Sequence, residues 1–176
     1  MTVGAVKIYE DKIEIGCDTQ ATYGSINQSS LINVSKMIEK NGMIFISSGT
    51  LREINLMRLF CNHNIISKAD EEEILDFMYK FMEFKQDYGL PFELENSYIL
   101  VIGDKVFSII QGEVVEVKNY LTIGNGGDLA LSALYLGHSV KESLQVACDL
   151  NIYCCEPIQV INIKKGKLNE KVKDLI

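Results

Sequence analysis

The sequence predicts an α+β fold in which two antiparallel sheets pack face to face and a helical layer covers the outer side of each sheet. Three observations indicate this arrangement. Short hairpin-forming strands occur in two runs, each run is followed by a pair of amphipathic helices, and a single strand follows the second pair. The chain of 176 residues suits one domain, residues 1–176, because no Pro-rich or Gly/Ser-rich tract marks a linker.

The opening stretch, residues 1–19, has the pattern of two short strands joined by a tight polar turn. Thr2 places a hydroxyl at one end of this hairpin, and Asp18 places a carboxylate at the other. If Met1 is removed, Thr2 offers a hydroxyl nucleophile and a free α-amine on one residue, which is one way of activating a weak nucleophile. Threonine is also an ordinary second residue, so the stretch alone leaves a structural interpretation open.

The next segment, residues 20–33, is polar and predicts a long irregular loop of the kind that often borders a site. A second hairpin follows, with strands over 34–39 and 43–48 and the dipeptide Asn41-Gly42 at its turn. Both residues of that dipeptide tolerate positive φ angles, which makes it a strong hairpin signal.

Two helices are predicted after this hairpin. Thr50 with Glu53 three residues later predicts a capping box at the start of the first helix. Residues 70–86 predict the second helix, because their apolar residues recur at helical spacing. The pattern then returns to strands, over 98–102, 106–110, 113–118 and 120–123.

The last third of the chain opens with the glycine-rich run 124–127. This run could cradle a phosphate, but it lacks the remaining glycine of a dinucleotide fingerprint and the lysine of a P-loop. A helix over 129–136 follows, and Ser139 with Glu142 caps another. The final strand covers 158–163.

Composition excludes several classes of function. The formal net charge of −7 disfavours a phosphate-binding face, so no nucleic-acid role is predicted. No apolar run approaches the ~20 residues of a membrane span, which predicts a cytoplasmic protein without a membrane partner. The five cysteines lack CxxC spacing and predict buried reduced thiols, and His63 and His138 are predicted to lie on the surface.

Six segments stand out when the motifs are taken in order: Thr2-Val3-Gly4, Gly16 to Thr22, Ser35 to Ile38, Ser48-Gly49-Thr50, Ile123 to Gly127, and Asn151 to Cys154. With these segments in this order, the chain resembles β-type proteasome subunits and, among them, the bacterial heat-shock locus V peptidases. The likeness covers nearly the whole length. The resemblance implies the four-layer αββα sandwich of the N-terminal-nucleophile hydrolases and the activity of a threonine endopeptidase.

Matched residue by residue, the resemblance makes Thr2 the nucleophile through its Oγ atom and makes its own α-amine the general base. Lys36 would stand beside the nucleophile, where its positive charge helps to keep the amine unprotonated. Asp18 would orient Lys36 through a charge-assisted hydrogen bond. An ungapped alignment would place Asn33 at the lysine position; Lys36 is preferred because it directly precedes a strand, as the lysine of the family does.

The same resemblance implies that a backbone N–H of the turn Ser47, Ser48 and Gly49 stabilises the oxyanion. Asn125 takes a supporting position where relatives often carry serine, and Asn151 stands where many carry aspartate. Asparagine keeps hydrogen-bonding capacity but cannot replace a hydroxyl in proton transfer.

The resemblance further implies a homo-oligomeric ring, hexameric or heptameric and single or stacked, with an ATPase unfoldase as partner and peptides or unfolded proteins as substrates. No cofactor is required for the chemistry, although some relatives bind a structural monovalent cation through backbone carbonyls in the segment that corresponds to 148–154. Two alternatives stay open: a catalytically silent ring-forming subunit, favoured by Asn125 and Asn151, and a stand-alone amide hydrolase on the same fold. Without the resemblance, Asp18 and Lys36 would be read as a surface ion pair worth at most about 1 kcal/mol.

Overall fold

The computed structural model describes residues 2–23, 26–28, 32 and 34–166. Within them the strands are β1 Gly4–Ile8, β2 Lys12–Cys17, β3 Thr22–Tyr23, β4 Ile26–Asn27, β5 Met37–Lys40, β6 Met43–Ser48, β7 Ser97–Ile102, β8 Lys105–Ile110, β9 Glu113–Glu116, β10 Tyr120–Ile123 and β11 Gln159–Lys164. The helices are α1 Leu51–Phe60, α2 Glu71–Gln86, α3 Gly127–Tyr135 and α4 Val140–Leu150. The predicted order of strands and helix pairs is confirmed.

The two main sheets are antiparallel throughout. One has the strand order β10-β1-β2-β11 and the other has the order β5-β6-β7-β8-β9. The opening hairpin is therefore central in its sheet, and both of its neighbours come from the last third of the chain. In the register of this hairpin Gly4 lies opposite Cys17, so the residues just before β1 and just after β2 meet at one end of the sheet.

Three apolar layers hold the sandwich together, and alternation along β6 shows how they are separated. Phe45 points to the layer beneath α1 and α2, whereas Ile44 and Ile46 point to the layer between the sheets. The third layer lies between the four-stranded sheet and the second helix pair, where Ala5 of β1 packs with Leu144 of α4. This order of layers, helix, sheet, sheet and helix, confirms the predicted αββα sandwich.

The second hairpin starts later than predicted. Its first strand begins at Met37 and not at residue 34, because the carbonyl of Ser35 accepts a hydrogen bond from Arg58 of α1. Lys36 nevertheless stays beside β6, since the Ser47 N–H donates to the Lys36 carbonyl. The predicted loop over 20–33 contains the short hairpin formed by β3 and β4, which the polar composition concealed. Residues 24, 25, 29–31 and 33 of that loop, including Asn33, lie outside the described residues.

The predicted capping box of α1 is only half formed. The Thr50 hydroxyl accepts from the Glu53 N–H as expected. The Glu53 side chain does not return the bond; it is fully buried and accepts from the backbone of Asn96 and from other groups. The prediction failed because the buried donors around Glu53 compete for its carboxylate. In α4, by contrast, both halves of the box between Ser139 and Glu142 are present.

No helix in the described part of the chain is long and apolar enough to cross a membrane.

Candidate active site

The register of the opening hairpin brings Thr2 and Asp18 together. The Asp18 N–H donates to the Val3 carbonyl at 3.1 Å, which continues the pairing of β1 and β2 by one residue. The Val3 N–H in turn donates to Oδ1 of Asp18 at 3.0 Å. The carboxylate therefore holds the peptide group that joins Thr2 to Val3.

The Asp18 carboxylate also forms an ion pair with Lys36, whose Nζ lies 2.7 Å from Oδ1. Both side chains are buried, with 2% of Lys36 and none of Asp18 exposed, so the surface-pair interpretation is wrong. The Asp18 carboxylate is buried because the loop after β2 and the segment near Cys155 cover it. The N–H groups of Gln20 and Cys155 donate to Oδ2 at 3.1 and 3.4 Å. These contacts occupy the acceptor sites of a carboxylate that water does not reach.

A cavity of about 420 Å³ opens beside this ion pair. We call it the Thr2 cavity; it is lined by Thr2, Gln20, Ala21, Thr22, Tyr23, Gln28, Lys36, Gly49, Thr50, Leu51 and Ile54. Its lining combines Thr2 and Lys36 with the apolar residues Leu51 and Ile54 of α1. Its size and mixed lining suit a peptide segment entering from solvent.

The three residues of the predicted oxyanion turn, Ser47, Ser48 and Gly49, lie in different environments. Ser47 is fully buried; its N–H donates to the Lys36 carbonyl, and its hydroxyl accepts from the Asn96 side chain at 3.0 Å. Ser48 belongs to β6 and pairs with Ser97. Gly49 is the member of the turn that lines the Thr2 cavity. The backbone at Gly49 is thus the part of this turn placed to meet a bound carbonyl.

The remaining predicted residue, Asn125, does not line the Thr2 cavity. It is exposed, and its carbonyl accepts a hydrogen bond of 2.9 Å from the side chain of Asn151. The Asn151 side-chain oxygen accepts from the Tyr153 N–H, also at 2.9 Å. The two departures from the family pattern therefore contact each other through the backbone of Asn125.

Gly124 belongs to the site although the residue pattern did not predict it there. Its φ angle is +88°, and a Cβ atom there would lie 2.2 Å from the Thr2 carbonyl oxygen. The same oxygen accepts from the Gly126 N–H at 3.3 Å. The glycines of the run 124–127, considered above for phosphate binding, instead allow the backbone to approach Thr2 closely.

The thiols near the site are protonated at neutral pH. Burial raises the pKa of Cys17 to about 12 and that of Cys154 to about 11. None of the five cysteines is in a disulfide, as predicted, but only Cys17, Cys61 and Cys154 are buried; Cys148 and Cys155 are half-buried, so the expected burial is wrong for these two. Both histidines are exposed, as predicted. Among the described residues, no group of three or more His, Cys, Asp or Glu side chains could hold a metal ion.

Comparison of the sequence with known proteins finds relatives over most of its length. The chain is 28% identical to the ATP-dependent protease subunit HslV of Aliarcobacter butzleri, over 88% of this chain and 93% of that protein. It is 26% identical to the protein of the same name from Sulfurimonas denitrificans, over 90% and 93%. No protein-family model matches the chain.

Solved structures show the same fold. Thiobacillus denitrificans BPH in complex with epoxomicin superposes with a TM-score of 0.86 at 15% identity, covering 94% of this chain and 100% of that one. HslV from Trypanosoma brucei gives 0.69 at 18% identity, over 92% and 99%, and Anbu from Yersinia bercovieri gives 0.70 at 12%, over 98% and 93%. The N-terminal-nucleophile hydrolase fold and the resemblance to HslV peptidases are confirmed.

Proposed function

We propose that this relative of the HslV subunits is a threonine-type peptidase subunit in which Thr2, freed by removal of Met1, attacks peptide bonds. One observation carries the proposal. Asp18 binds both the Lys36 ammonium and the peptide N–H that follows Thr2, beside a cavity that Thr2, Lys36 and Gly49 share. Nucleophile, cation and backbone donor thus border a single space.

The chemistry requires a base close to neutral pH. An α-amine has an ordinary pKa of about 7.7 to 8, so an amine on Thr2 can accept the proton from its own Oγ. The Lys36 charge disfavours a second ammonium nearby and keeps that amine in its basic form. Oγ then adds to the scissile carbonyl carbon, and as the C–N bond breaks the α-amine passes the proton to the departing nitrogen, which leaves an ester on Thr2. Water, giving a proton to the α-amine, attacks this ester; the acid product leaves as Thr2 Oγ takes the proton back.

Negative charge develops on the carbonyl oxygen during this attack, and fixed donors stabilise it. Within the turn predicted for this role, we assign the Gly49 N–H as the donor, because Gly49 lines the Thr2 cavity. The Ser47 N–H already donates to the backbone carbonyl of Lys36. Lys36, which lines the same cavity, contributes positive charge.

The proposed assembly and partners are inferred from the relatives, which are named as subunits of an ATP-dependent protease. We propose a cytoplasmic homo-oligomeric ring of six or seven subunits, single or stacked, fed with peptides or unfolded proteins by an ATPase. The chemistry uses no cofactor. A structural monovalent cation held by carbonyls of the segment 148–154 is part of the same proposal. Size-exclusion chromatography with light scattering tests the ring, which a stable monomer would contradict.

The peptidase proposal is tested by intact mass and by cleavage of a peptide library. Wild-type protein is expected to lack Met1 and to cleave, whereas Thr2→Ala should lose at least about 10³-fold in kcat because the nucleophile is gone. Ser132→Ala, which changes a hydroxyl on α3 whose contact is to its own helix, is the control and should cleave normally. Full retention of Met1, or normal cleavage by Thr2→Ala, would overturn the proposal.

A second candidate is a catalytically silent subunit of the same ring. The contact between Asn151 and the backbone of Asn125 favours it, because these amides replace the serine and aspartate that many family members carry. A threonine-directed covalent inhibitor separates the two. A mass adduct at Thr2 supports the peptidase, and correctly trimmed protein without an adduct supports the silent subunit.

A further inference from the structure

A buried polar network lies behind the turn that carries Gly49. It consists of Glu53 on α1, Lys85 on α2, and Asn96 and Tyr98 on the segment that enters and forms β7. Each of the four side chains is at most 2% exposed. The surrounding layer is otherwise apolar and rich in phenylalanine, so the network needs a physical account.

Asn96 binds the turn on both sides of Gly49. Its Oδ1 accepts from the Thr50 N–H at 2.6 Å, and its Nδ2 donates to the Ser47 hydroxyl and to the Thr50 carbonyl, both at 3.0 Å. Gly49 packs directly on this amide: a Cβ atom at Gly49 would lie 1.9 Å from Oδ1. The side chain of Asn96 thereby fixes the turn through three hydrogen bonds and one close contact.

Glu53 holds Asn96 in turn. Its Oε1 accepts from the Asn96 N–H at 3.1 Å and from the Tyr98 hydroxyl at 2.7 Å. Its Oε2 accepts from Lys85 Nζ at 2.6 Å and from the Glu95 N–H at 3.1 Å. Burial and the nearby Glu53 charge raise the pKa of Tyr98, which keeps its hydroxyl available as a donor. The carboxylate is therefore saturated and has one orientation.

We infer that Asn96 is a positioning residue for catalysis, held by Glu53 and Lys85, which keeps the backbone of Gly49, the proposed oxyanion donor, in place at the Thr2 cavity. The inference rests on the proposed peptidase function and deepens it. A buried ion pair is weak evidence for added stability, because apolar residues of similar volume often serve as well. Its geometric effect here is specific, since the ion pair of α1 and α2 fixes Glu53, Glu53 holds the backbone of Asn96, and the Asn96 side chain binds the turn at Ser47 and Thr50.

The kinetic test compares Asn96→Ala with Ile74→Ala, a cavity-forming change on α2 that leaves the network side chains intact. Asn96→Ala is expected to lower kcat on a fluorogenic peptide about 10- to 100-fold while KM changes less than about threefold, because a misplaced oxyanion donor affects mainly the transition state. Ile74→Ala should lower Tm with little effect on kcat. Equal kcat values for the two variants at matched loss of Tm would overturn the inference.

A pair of double variants tests the role of Glu53 without leaving Lys85 as a buried unpaired charge. Glu53→Gln with Lys85→Met keeps an oxygen that can accept from Asn96 and should retain kcat within about threefold of wild type. The double variant Glu53→Ala, Lys85→Met lacks that acceptor, and its kcat should fall toward the kcat of Asn96→Ala. Equal kcat for the two double variants would contradict a positioning role for Glu53.

Hydrogen–deuterium exchange gives a readout that does not depend on activity. Asn96→Ala should speed exchange of the N–H groups at Gly49 and Thr50 at least about tenfold, beyond any change in Ile74→Ala, because the Thr50 N–H loses its acceptor. Unchanged exchange there would overturn the inference even in an active enzyme. Faster exchange in Asn96→Ala, together with a wild type that neither cleaves nor forms a Thr2 adduct, would support the hold on the turn and refute the proposed peptidase function.

Discussion

The carboxylate of Asp18 accepts hydrogen bonds from Lys36 and from three backbone N–H groups, of Val3, Gln20 and Cys155, and none of it is exposed. A buried charge of this kind costs several kcal/mol of desolvation, which only well-placed donors offset. The residue spacing could not reveal this burial. Asp18 and Lys36 could be named from motifs, but their exposure depends on which distant segments cover them.

The buried pair predicts a large effect of removing its cation. Lys36→Met should lower the free energy of unfolding by about 3 kcal/mol, because it leaves Asp18 charged and buried with one donor fewer. Lys80→Met is the matched control, since Lys80 pairs with Asp76 at 2.6 Å but both side chains are 61% exposed. That change should cost less than about 1 kcal/mol.

Urea unfolding at pH 7 measures both variants, with activity assayed on the folded protein. Lys36→Met should also lose most peptidase activity, and Lys80→Met should keep it. Similar losses of unfolding free energy in the two variants would show that the Asp18–Lys36 pair is no more buried in solution than a surface pair.

At the scale of elements, the turn that follows β10 packs directly against Thr2. The φ angle of Gly124 is +88°, and a side chain there would meet the Thr2 carbonyl and the Ser48 hydroxyl, the latter at 2.7 Å. Gly112, in the turn between β8 and β9, has a φ angle of +85°, and a Cβ atom added there would have nothing within 4 Å. The two glycines share a left-handed backbone that would strain any other residue, and they differ in what a side chain would contact.

Substituting alanine at each position therefore separates the two effects. Gly112→Ala should cost about 1 to 2 kcal/mol of unfolding free energy from the left-handed backbone alone. Gly124→Ala should cost a further 1 to 3 kcal/mol, roughly, from the collision, and should lower kcat about tenfold or more by displacing Thr2. Urea unfolding and peptide cleavage measure the pair. Equal losses with unchanged kcat would contradict the close approach.

The elements with strong local signals were predicted well. Asn41-Gly42 turns where expected, and the apolar stripe of α2 is buried. The errors occur where tertiary contacts override local pattern. Arg58 donates to the Ser35 carbonyl, and β5 begins only after that residue. The Glu53 carboxylate accepts from buried donors such as the Asn96 N–H and not from the helix N-cap. Neither contact has a counterpart in nearby sequence.

At the scale of the whole molecule, the site depends on chain segments that are far apart in sequence. β10 and β11 flank the opening hairpin, and the segment after α4 reaches Asp18 through the Cys155 N–H. The pattern of strands predicted two sheets, but it could not assign the late strands to the first sheet. That assignment requires burial of β1 and β2 on both faces and on both edges, a property of the assembled sandwich.

The buried thiols give the whole molecule a predicted weakness at alkaline pH. Burial raises the pKa of both Cys17 and Cys61 to about 12. An unfolded thiol ionises near pH 8.5, so between about pH 9 and 12 the unfolded chain releases protons that the folded chain retains. The free energy of unfolding is unaffected by these groups below about pH 8. It then falls as pH rises, by about 1.4 kcal/mol per pH unit for each thiol.

Urea unfolding of reduced protein at pH 8, 9, 10 and 10.5 measures this slope. Cys17→Ala removes one of the thiols whose pKa is raised, so its unfolding free energy should fall less steeply than that of wild type, by about 1.4 kcal/mol per pH unit above pH 9. The cavity left by the missing sulfur lowers stability equally at every pH and does not enter the slope. Lysine and tyrosine ionisation is common to both proteins and cancels in the comparison. Parallel curves for wild type and Cys17→Ala would mean that Cys17 ionises as freely in the folded chain as in the unfolded one, which is incompatible with its place between the two sheets.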